Sequence, residues 1–438
     1  MLSHPAGGGV FPAAQFGYNN LSTSSNRKPV KGDLPVSFPE SLLSQTTRSM
    51  GVSFIREMIK ATKGVEGMIS LAGGLPSPDS FPKEQLASLF KEVIEKEGAD
   101  VLQYGPSEGD DFLKEQILRF EKEPGVLKEE LLITDGATNG IYFFTRAVID
   151  PGDIVICEGP SFNGTLVAIE ACGAELAAVG MDEEGLLVDR VRETILARRK
   201  EGRTVKFIYT IPEFQNPSGR TMSLARRREL IRIARELNVL ILEDQPYRDL
   251  RFMGRRIDSI WDIARAEFDD ARTVTICKSF SKVLGPGLRL GFAAGPADLI
   301  AAMAKWAQKV IVSPEGVVQR VVARFLERDL LEPHIEKITA MYRHKREVMI
   351  SALKETMPPS IRWTEPEGGL FIWLTCPETV DTDALFHEAA KAGVAFIPGS
   401  KFYPSGTEKR NEIRLNFSYA KAEDLRAGVA RLAKILSR

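Results

Sequence analysis

The sequence predicts an α/β protein: a three-layer sandwich on a mostly parallel sheet, with a smaller α+β domain attached. Three observations predict it. Four short apolar runs, β-branched and nearly continuous, recur between residues 153 and 279, the pattern of strands covered on both faces. An amphipathic segment separates the second run from the third, as a right-handed crossover between parallel strands requires. From about residue 301 the pattern changes to a long helical stretch and then three further short strands.

In chain order, the residues up to about Lys31 are rich in Gly, Ser and Asn and poor in acid. They have no charged start followed by a continuous apolar run, so they are not a secretory signal. With Arg27 as the arginine of this stretch they make a poor transit peptide and read as a flexible arm. Globular sequence begins after about Ser44. "SFIREMIKA", Ser53 to Ala61, has the spacing of an amphipathic helix. "LLIT" is a strand that ends at Gly136, and a helix begins near Ala137. "DIVICEG" (Asp153 to Gly159), "VKFIYTIP" (Val205 to Pro212), "VLILED" (Val239 to Asp244) and "TVTICKS" (Thr273 to Ser279) are the four buried strands. "SLARRRELIRIAREL" carries Leu230, Ala234 and Leu237 on one helical face and arginines on the other. Roughly Ala301 to Leu353 reads as a long helical stretch without a strand signal. The strands "GGLFIWL" (Gly368 to Leu374), "VAFIPG" (Val394 to Gly399) and "NEIRLNFS" (Asn411 to Ser418) follow, with a helix before the second and another at the C-terminus.

The chain has 438 residues, more than one ordinary core holds, which suggests two domains or one large domain with a satellite. A net charge of -1 without a long run of one sign gives no reason to expect nucleic acid or an acidic membrane as partner. No stretch is long and apolar enough to span a bilayer. Cys157, Cys172, Cys277 and Cys376 are scattered, with no CxxC pair, so neither a zinc knuckle nor a disulfide framework is expected. They read as reduced thiols in a cytosol-like compartment. His4, His334, His344 and His387 are equally isolated, and no metal site is expected from them.

Ligands of such sheets bind beyond the carboxyl ends of the strands. After "LLIT" the start of a helix offers free N–H groups, a seat for phosphate. After "VKFIYTIP" comes Asn216-Pro217, which taken alone is a stiff turn whose amide both donates and accepts. After "VLILE" comes Asp244, desolvated unless it finds a cationic partner, with Tyr247 three residues on. After "TVTIC" comes "KSFSKVLGPGLRLGF". Here Ser279 and Ser281 offer hydroxyls, Gly285 and Gly287 relax the backbone, and Arg289 offers a fork suited to phosphate. Alternation gives no reason to aim Lys278 into the site. GxGxxxG is not the dinucleotide fingerprint, and the chain has no GxxxxGK[ST]. Taken together, the four strand ends suit a phosphate ester, a pyridinium nitrogen, a phenolic oxygen and, at Lys282, an aldehyde. That is a pyridoxal phosphate site.

"SFSKVLGPGLRLGF", "NPSG", "LEDQPYRDL" and "ISLAGGLPSPDSFP" together resemble the class I/II aminotransferases of pyridoxal-phosphate fold type I, most closely the branch with 2-aminoadipate, kynurenine and aromatic aminotransferases. The resemblance runs from about Gln45 to the C-terminus. It implies that Lys282 forms the Schiff base and shuttles the proton, that Asp244 pairs with the ring nitrogen, and that Asn216 and Tyr247 bond the phenolic oxygen. It assigns the phosphate to Ser279, Ser281 and Arg289, with Ala137 and Thr138 at the helix start. Relatives usually carry Ser-Gln at those last two positions, and Ala137 offers only its N–H. Phe162 matches the aromatic that lies on the cofactor ring, tyrosine in many relatives. Tyr104 matches a tyrosine that reaches the phosphate of the neighbouring subunit, which implies a homodimer with shared sites. Arg414 matches the arginine that binds the substrate carboxylate. Strand alternation alone sets it on the face opposite the core, so its burial is implied by the resemblance. Gly73 and Gly74 let backbone approach the substrate, and Arg56 matches an arginine that meets an acidic side chain. The implied organisation is an arm (1–45), a segment bordering the substrate site (46–80), a large cofactor-binding domain (81–325) and a small C-terminal domain (326–438).

Three functions are weighed on this reading. The first is transfer of an amino group from an L-amino acid to a 2-oxo acid, 2-oxoglutarate being the expected acceptor, by a ping-pong route. The second is a lyase or decarboxylase using the same lysine and aspartate. The third is a sensor domain of the kind fused to a winged helix. It calls for a basic N-terminal domain of some seventy residues or more ahead of the family-like region, where about 45 residues stand here.

Overall fold

The computed structural model describes residues 39–49, 58, 61–122, 126–268 and 272–437. Arg56 and the first 38 residues of the expected arm lie outside them. The chain divides into two compact units, Met1–Gly51 and Val52–Arg438. The first holds a 3-10 turn, Glu40–Leu42, and a short helix, Gln45–Ser49.

The strands of the second unit are, in order, β1 (Ile69–Ser70), β2 (Leu131–Thr134), β3 (Ile154–Gly159), β4 (Glu175–Asp182), β5 (Gly185–Leu186), β6 (Val205–Thr210), β7 (Leu240–Gln245), β8 (Val274–Ser279), β9 (Gly291–Ala294), β10 (Arg362–Trp363), β11 (Phe371–Thr375), β12 (Val394–Ala395), β13 (Ile397–Pro398) and β14 (Glu412–Asn416). Eight form the large sheet, in the order β2-β9-β8-β7-β6-β3-β4-β5. Neighbours from β4 through β3, β6 and β7 to β8 run parallel, while β9 runs antiparallel to both β8 and β2.

The four apolar runs are β3, β6, β7 and β8, each buried along most of its length. Both faces are covered, which is why these runs show no alternation. Helices Ala137–Val148 and Ala297–Val310 share one core with Leu132, Val155, Phe207 and Leu242. A second core on the other side includes Ile156, Ile208 and Ile241. The helix between β6 and β7 spans Leu224–Glu236, capped by the Ser223 hydroxyl, and buries Leu230 and Ala234.

The stretch from Ala301 to Leu353 is helical and without strands, and it is divided among three helices: Ala297–Val310, Gly316–Glu327 and Leu331–Thr356. Val312 and Asp329 take left-handed backbone between them (φ 66° and 55°), and Pro314 has no N–H with which to continue a helix. β4 was not marked by a strand signal. Its "ELAAVGMD" lacks a run of β-branched residues and is only half covered.

The small sheet has the order β10-β11-β14-β13 and is antiparallel throughout. β1 pairs with β12 in parallel. Leu71 then donates its N–H to Ala395 O and accepts from Asn416 N–H (2.8 and 2.7 Å). These bonds fix the Gly73–Gly74 segment beside β14.

Candidate active site

Asp244, next to last in β7, lies opposite Cys277 of β8. It is 4% exposed. Its Oδ2 accepts the Tyr209 hydroxyl of β6 at 2.8 Å, and its Oδ1 has no partner among the described residues. Burial pushes the carboxyl up to about 7, opposed by the Tyr209 bond. A buried oxygen with an open lone pair is a place for a cationic N–H.

Lys282 lies in the turn after β8. The Ser279 hydroxyl starts that turn, accepting the Ser281 N–H (3.1 Å) and donating to the Ser281 hydroxyl (2.9 Å). Lys282 is half-buried and donates to Gly74 O at 3.1 Å. Its ammonium is pushed down to about 8, first by burial and then by the charges of Arg414 and Arg289. An amine so depressed is partly neutral near pH 7, as a nucleophile or base must be.

The phosphate-type groups meet around two glycines. Ser279 pairs with Gly291 across β8 and β9. A Cβ on Gly291 would stand 2.9 Å from Ala137 N, so only glycine lets the strand pass so close to the helix start. Gly136 caps that helix with left-handed backbone (φ 89°), and a Cβ there would meet the Arg289 guanidinium at 2.8 Å. Arg289 donates to Asp135 O and Pro286 O (3.0 and 3.3 Å). Thr138, one residue into the helix, is exposed. The cradle thus combines hydroxyls, helix N–H groups and a guanidinium.

The third part joins three distant segments. Asn216 donates to the Tyr247 hydroxyl (3.3 Å) and accepts from Arg414 (2.9 Å). Arg414 also donates to Ala72 O at 2.6 Å. Its guanidinium is stacked on Phe371 (4.3 Å) and Phe402 (4.8 Å). No carboxylate pairs with it among the described residues, and its Nε has no partner there. Burial lowers its pKa to about 10 and raises that of Tyr247. A cation this deep with only neutral partners is suited to an anion.

Alternation set Arg414 opposite the core, yet it is 4% exposed. The two phenyl rings and the Ala72–Gly74 segment cover the face that a lone sheet would leave open. Gly74 fits against this group: a Cβ would meet Phe371 at 3.3 Å and Arg414 at 3.9 Å. Phe162, just past β3, caps the helix Asn163–Ala171 and is half-buried. Tyr104 is 81% exposed. Lys278 points away from the site, paired with Glu121 (2.6 Å) and Asp249 (3.0 Å). Sequence reasoning missed Tyr209, Phe371 and Phe402. Alternation along β6 puts Tyr209 on the face of Asp244's neighbours and was the available signal; nothing local marked the two phenylalanines.

Comparison with known proteins bears on this arrangement. The family described as "Aminotransferase class I and II" matches residues 67–432. The chain is similar to the aromatic-amino-acid aminotransferase 1 of Thermococcus litoralis, 36% identical over 400 residues, 91% of this chain and 94% of that one. It is 33% identical to the 2-aminoadipate transaminase of Thermus thermophilus over 384 residues, 88% of this chain and 94% of that one. Its structure resembles the crystal structure of the multiple substrate aminotransferase of Thermococcus profundus, with a TM-score of 0.85 at 36% identity, covering 91% and 98% of the two chains.

Proposed function

The chain belongs to the class I and II aminotransferases, and from that premise we propose the substrates, the residues that serve them and the assembly. It is an aminotransferase of fold type I, and its cofactor is pyridoxal phosphate. The observation that carries the residue assignment is the unpartnered Asp244 Oδ1 at one strand end, with a depressed lysine at the next. The donor set fits the group: Asp244 for a ring N–H, Asn216 and Tyr247 for its phenolic oxygen, and Ser279, Ser281, Arg289 and the Ala137–Thr138 helix start for its phosphate. Phe162 is assigned to the ring face. When bound, the cofactor supplies an aldehyde that takes up the amine and a ring that accepts the electron pair released at Cα.

The chain's own residues do the rest. Asp244, as carboxylate, keeps the ring nitrogen protonated. Arg414 and Asn216 hold the substrate α-carboxylate, which fixes Cα relative to Lys282. Lys282 Nζ takes the Cα proton of the amino-acid donor and, in the second half-reaction, gives a proton to C2 of the 2-oxo acid acceptor, a task suited to an amine titrating near neutrality. Gly73 and Gly74 leave room for the substrate beside Arg414.

The substrates are L-amino acids with aromatic, branched or aliphatic side chains, or 2-aminoadipate, and the acceptor is 2-oxoglutarate. Arg56 meets the acidic side chains. Arg56→Ala is expected to raise KM for glutamate or 2-aminoadipate about tenfold, with leucine and phenylalanine unchanged; equal loss for all donors rejects that role. The protein works as a homodimer in a cytosol-like compartment, Tyr104 reaching the phosphate of the other subunit's site. The large and small domains divide near residue 325. Supplying an amino acid without an acceptor tests the reaction itself: an aminotransferase releases one equivalent of 2-oxo acid per site and stops, whereas a lyase or decarboxylase continues to turn over.

A further inference from the structure

Behind Asn216 lies a buried acid that none of these steps uses. Glu158 is near the end of β3, 1% exposed, and no cation pairs with it among the described residues. Its Oε1 accepts the Thr210 hydroxyl and the Ile211 N–H (3.1 Å). Its Oε2 accepts Gln215 Nε2 at 2.9 Å. The Gln215 amide is committed in every direction. Nε2 also donates to Pro160 O (2.8 Å), and Oε1 accepts both the N–H and the hydroxyl of Ser218 (2.9 and 2.6 Å). These bonds grip the residues on either side of Asn216-Pro217.

We propose that Glu158 is a positioning residue for the carboxylate site: through Gln215 and Ser218 it fixes Asn216, whose amide holds Arg414 on one side and Tyr247 on the other. The proposal rests on the assignment of Arg414 and Asn216 to the substrate carboxylate.

The hydrogen-bond chemistry demands an acid at 158 rather than any polar group. The Gln215 amide cannot flip, because Ser218 N–H is always a donor and Pro160 O always an acceptor. Position 158 must therefore present an acceptor to Gln215 Nε2. A carboxyl does so in both protonation states. Burial pushes Glu158 up to about 7, and its proton, when present, can sit on Oε1 toward Thr210 and leave Oε2 free to accept. An amide cannot serve both donors: with its oxygen on the Ile211 N–H its NH2 faces the NH2 of Gln215, and with its oxygen on Gln215 its NH2 faces the Ile211 N–H at the start of the same turn. A donor left against a donor in a buried site loses the bond and strands both groups, and the freed turn carries Asn216 with it.

The test compares four variants of the holoenzyme. Melting temperature, KM and kcat for an amino acid donor are measured, with calorimetric Kd for glutarate, which lacks the reacting oxo group. Glu158→Gln is expected to raise KM and the glutarate Kd about tenfold. Thr210→Val removes another hydrogen bond of Glu158 but leaves Gln215 held, so it should lower the melting temperature and keep both constants within twofold. If Glu158→Gln behaves like Thr210→Val, Glu158 is structural only and the proposal is overturned. Should Glu158→Gln fail to fold, Ser218→Ala, which deletes one bond of the same relay, is expected to raise KM about threefold; an unchanged KM overturns the proposal. Arg414→Met separates the two levels. If it binds glutarate like the parent, the carboxylate assignment falls and this proposal with it. If it loses glutarate while Glu158→Gln keeps it, only the role of Glu158 falls.

Discussion

Replacing Arg414 by methionine should cost more in substrate binding than in stability. The fold holds this guanidinium 4% exposed without a carboxylate among the described residues, and burial brings its pKa to about 10, a penalty on the charged form of about 3 kcal/mol. Against that stand its bonds to Asn216 and Ala72, about 1.5–3 kcal/mol each for a charged donor. The two sides nearly offset. Methionine, which keeps an apolar contact with Phe371 and Phe402, should change stability by no more than about 3 kcal/mol, or about 4 °C in melting temperature for a protein of this size. Removing one partner of a buried, hydrogen-bonded charge pair costs about 2–5 kcal/mol, so KM should rise about thirtyfold to several thousandfold. Because every substrate carries the α-carboxylate, the rise should be equal for acidic, aromatic and aliphatic donors. The assay is initial-rate kinetics on one donor of each kind, with a melting curve of the same preparation. A KM within threefold of the parent refutes the carboxylate role. A melting temperature lowered by more than about 10 °C refutes the reasoning that the fold holds this arginine for a ligand rather than for itself.

Three further outcomes are expected. Borohydride should fix the cofactor on the peptide that contains Lys282, read by mass spectrometry, and Lys282→Ala should give neither the adduct nor any half-reaction; a normal rate in that variant removes Lys282 from the mechanism. In the cofactor-free protein Asp244 is raised from 3.8 to about 7, so between those pH values the folded state binds more protons than the unfolded one. Its contribution of about 4 kcal/mol is present below pH 4 and lost as pH rises through 7. Asp244→Asn, neutral throughout, should flatten the fall in stability between pH 5 and 7.5 measured by urea unfolding, and an undiminished fall shows that Asp244 is not its source. Light scattering should give twice the 48.5 kDa of one chain, with Tyr104→Phe raising the Kd for pyridoxal phosphate; an active monomer excludes the shared site.

What could be read along the chain was whatever depends on near neighbours. β3, β6, β7 and β8 were legible because a strand covered on both faces must be apolar throughout. The ligand-bearing ends followed from the direction of a parallel sheet, which is why Asp244, Asn216 and Lys282 stood out; strand alternation gave no reason to aim Lys278 into the site. The breaks at Val312 and Asp329 were not legible, since left-handed backbone at a non-glycine residue leaves little trace in sequence. Nor was the burial of Arg414, because alternation reports one sheet and says nothing of what lands on its open face. The sequence by itself determined which chemistry was available: an amine, a carboxylate, a phosphate seat, and their order along the chain. Only the tertiary structure decided how they act together. The bonds from Arg414 to Asn216 and Ala72 and from Lys282 to Gly74 join residues about two hundred or more positions apart, and the depressed lysine, the raised aspartate and the unpaired cation all arise from burial by segments remote in sequence, a field that no local pattern encodes.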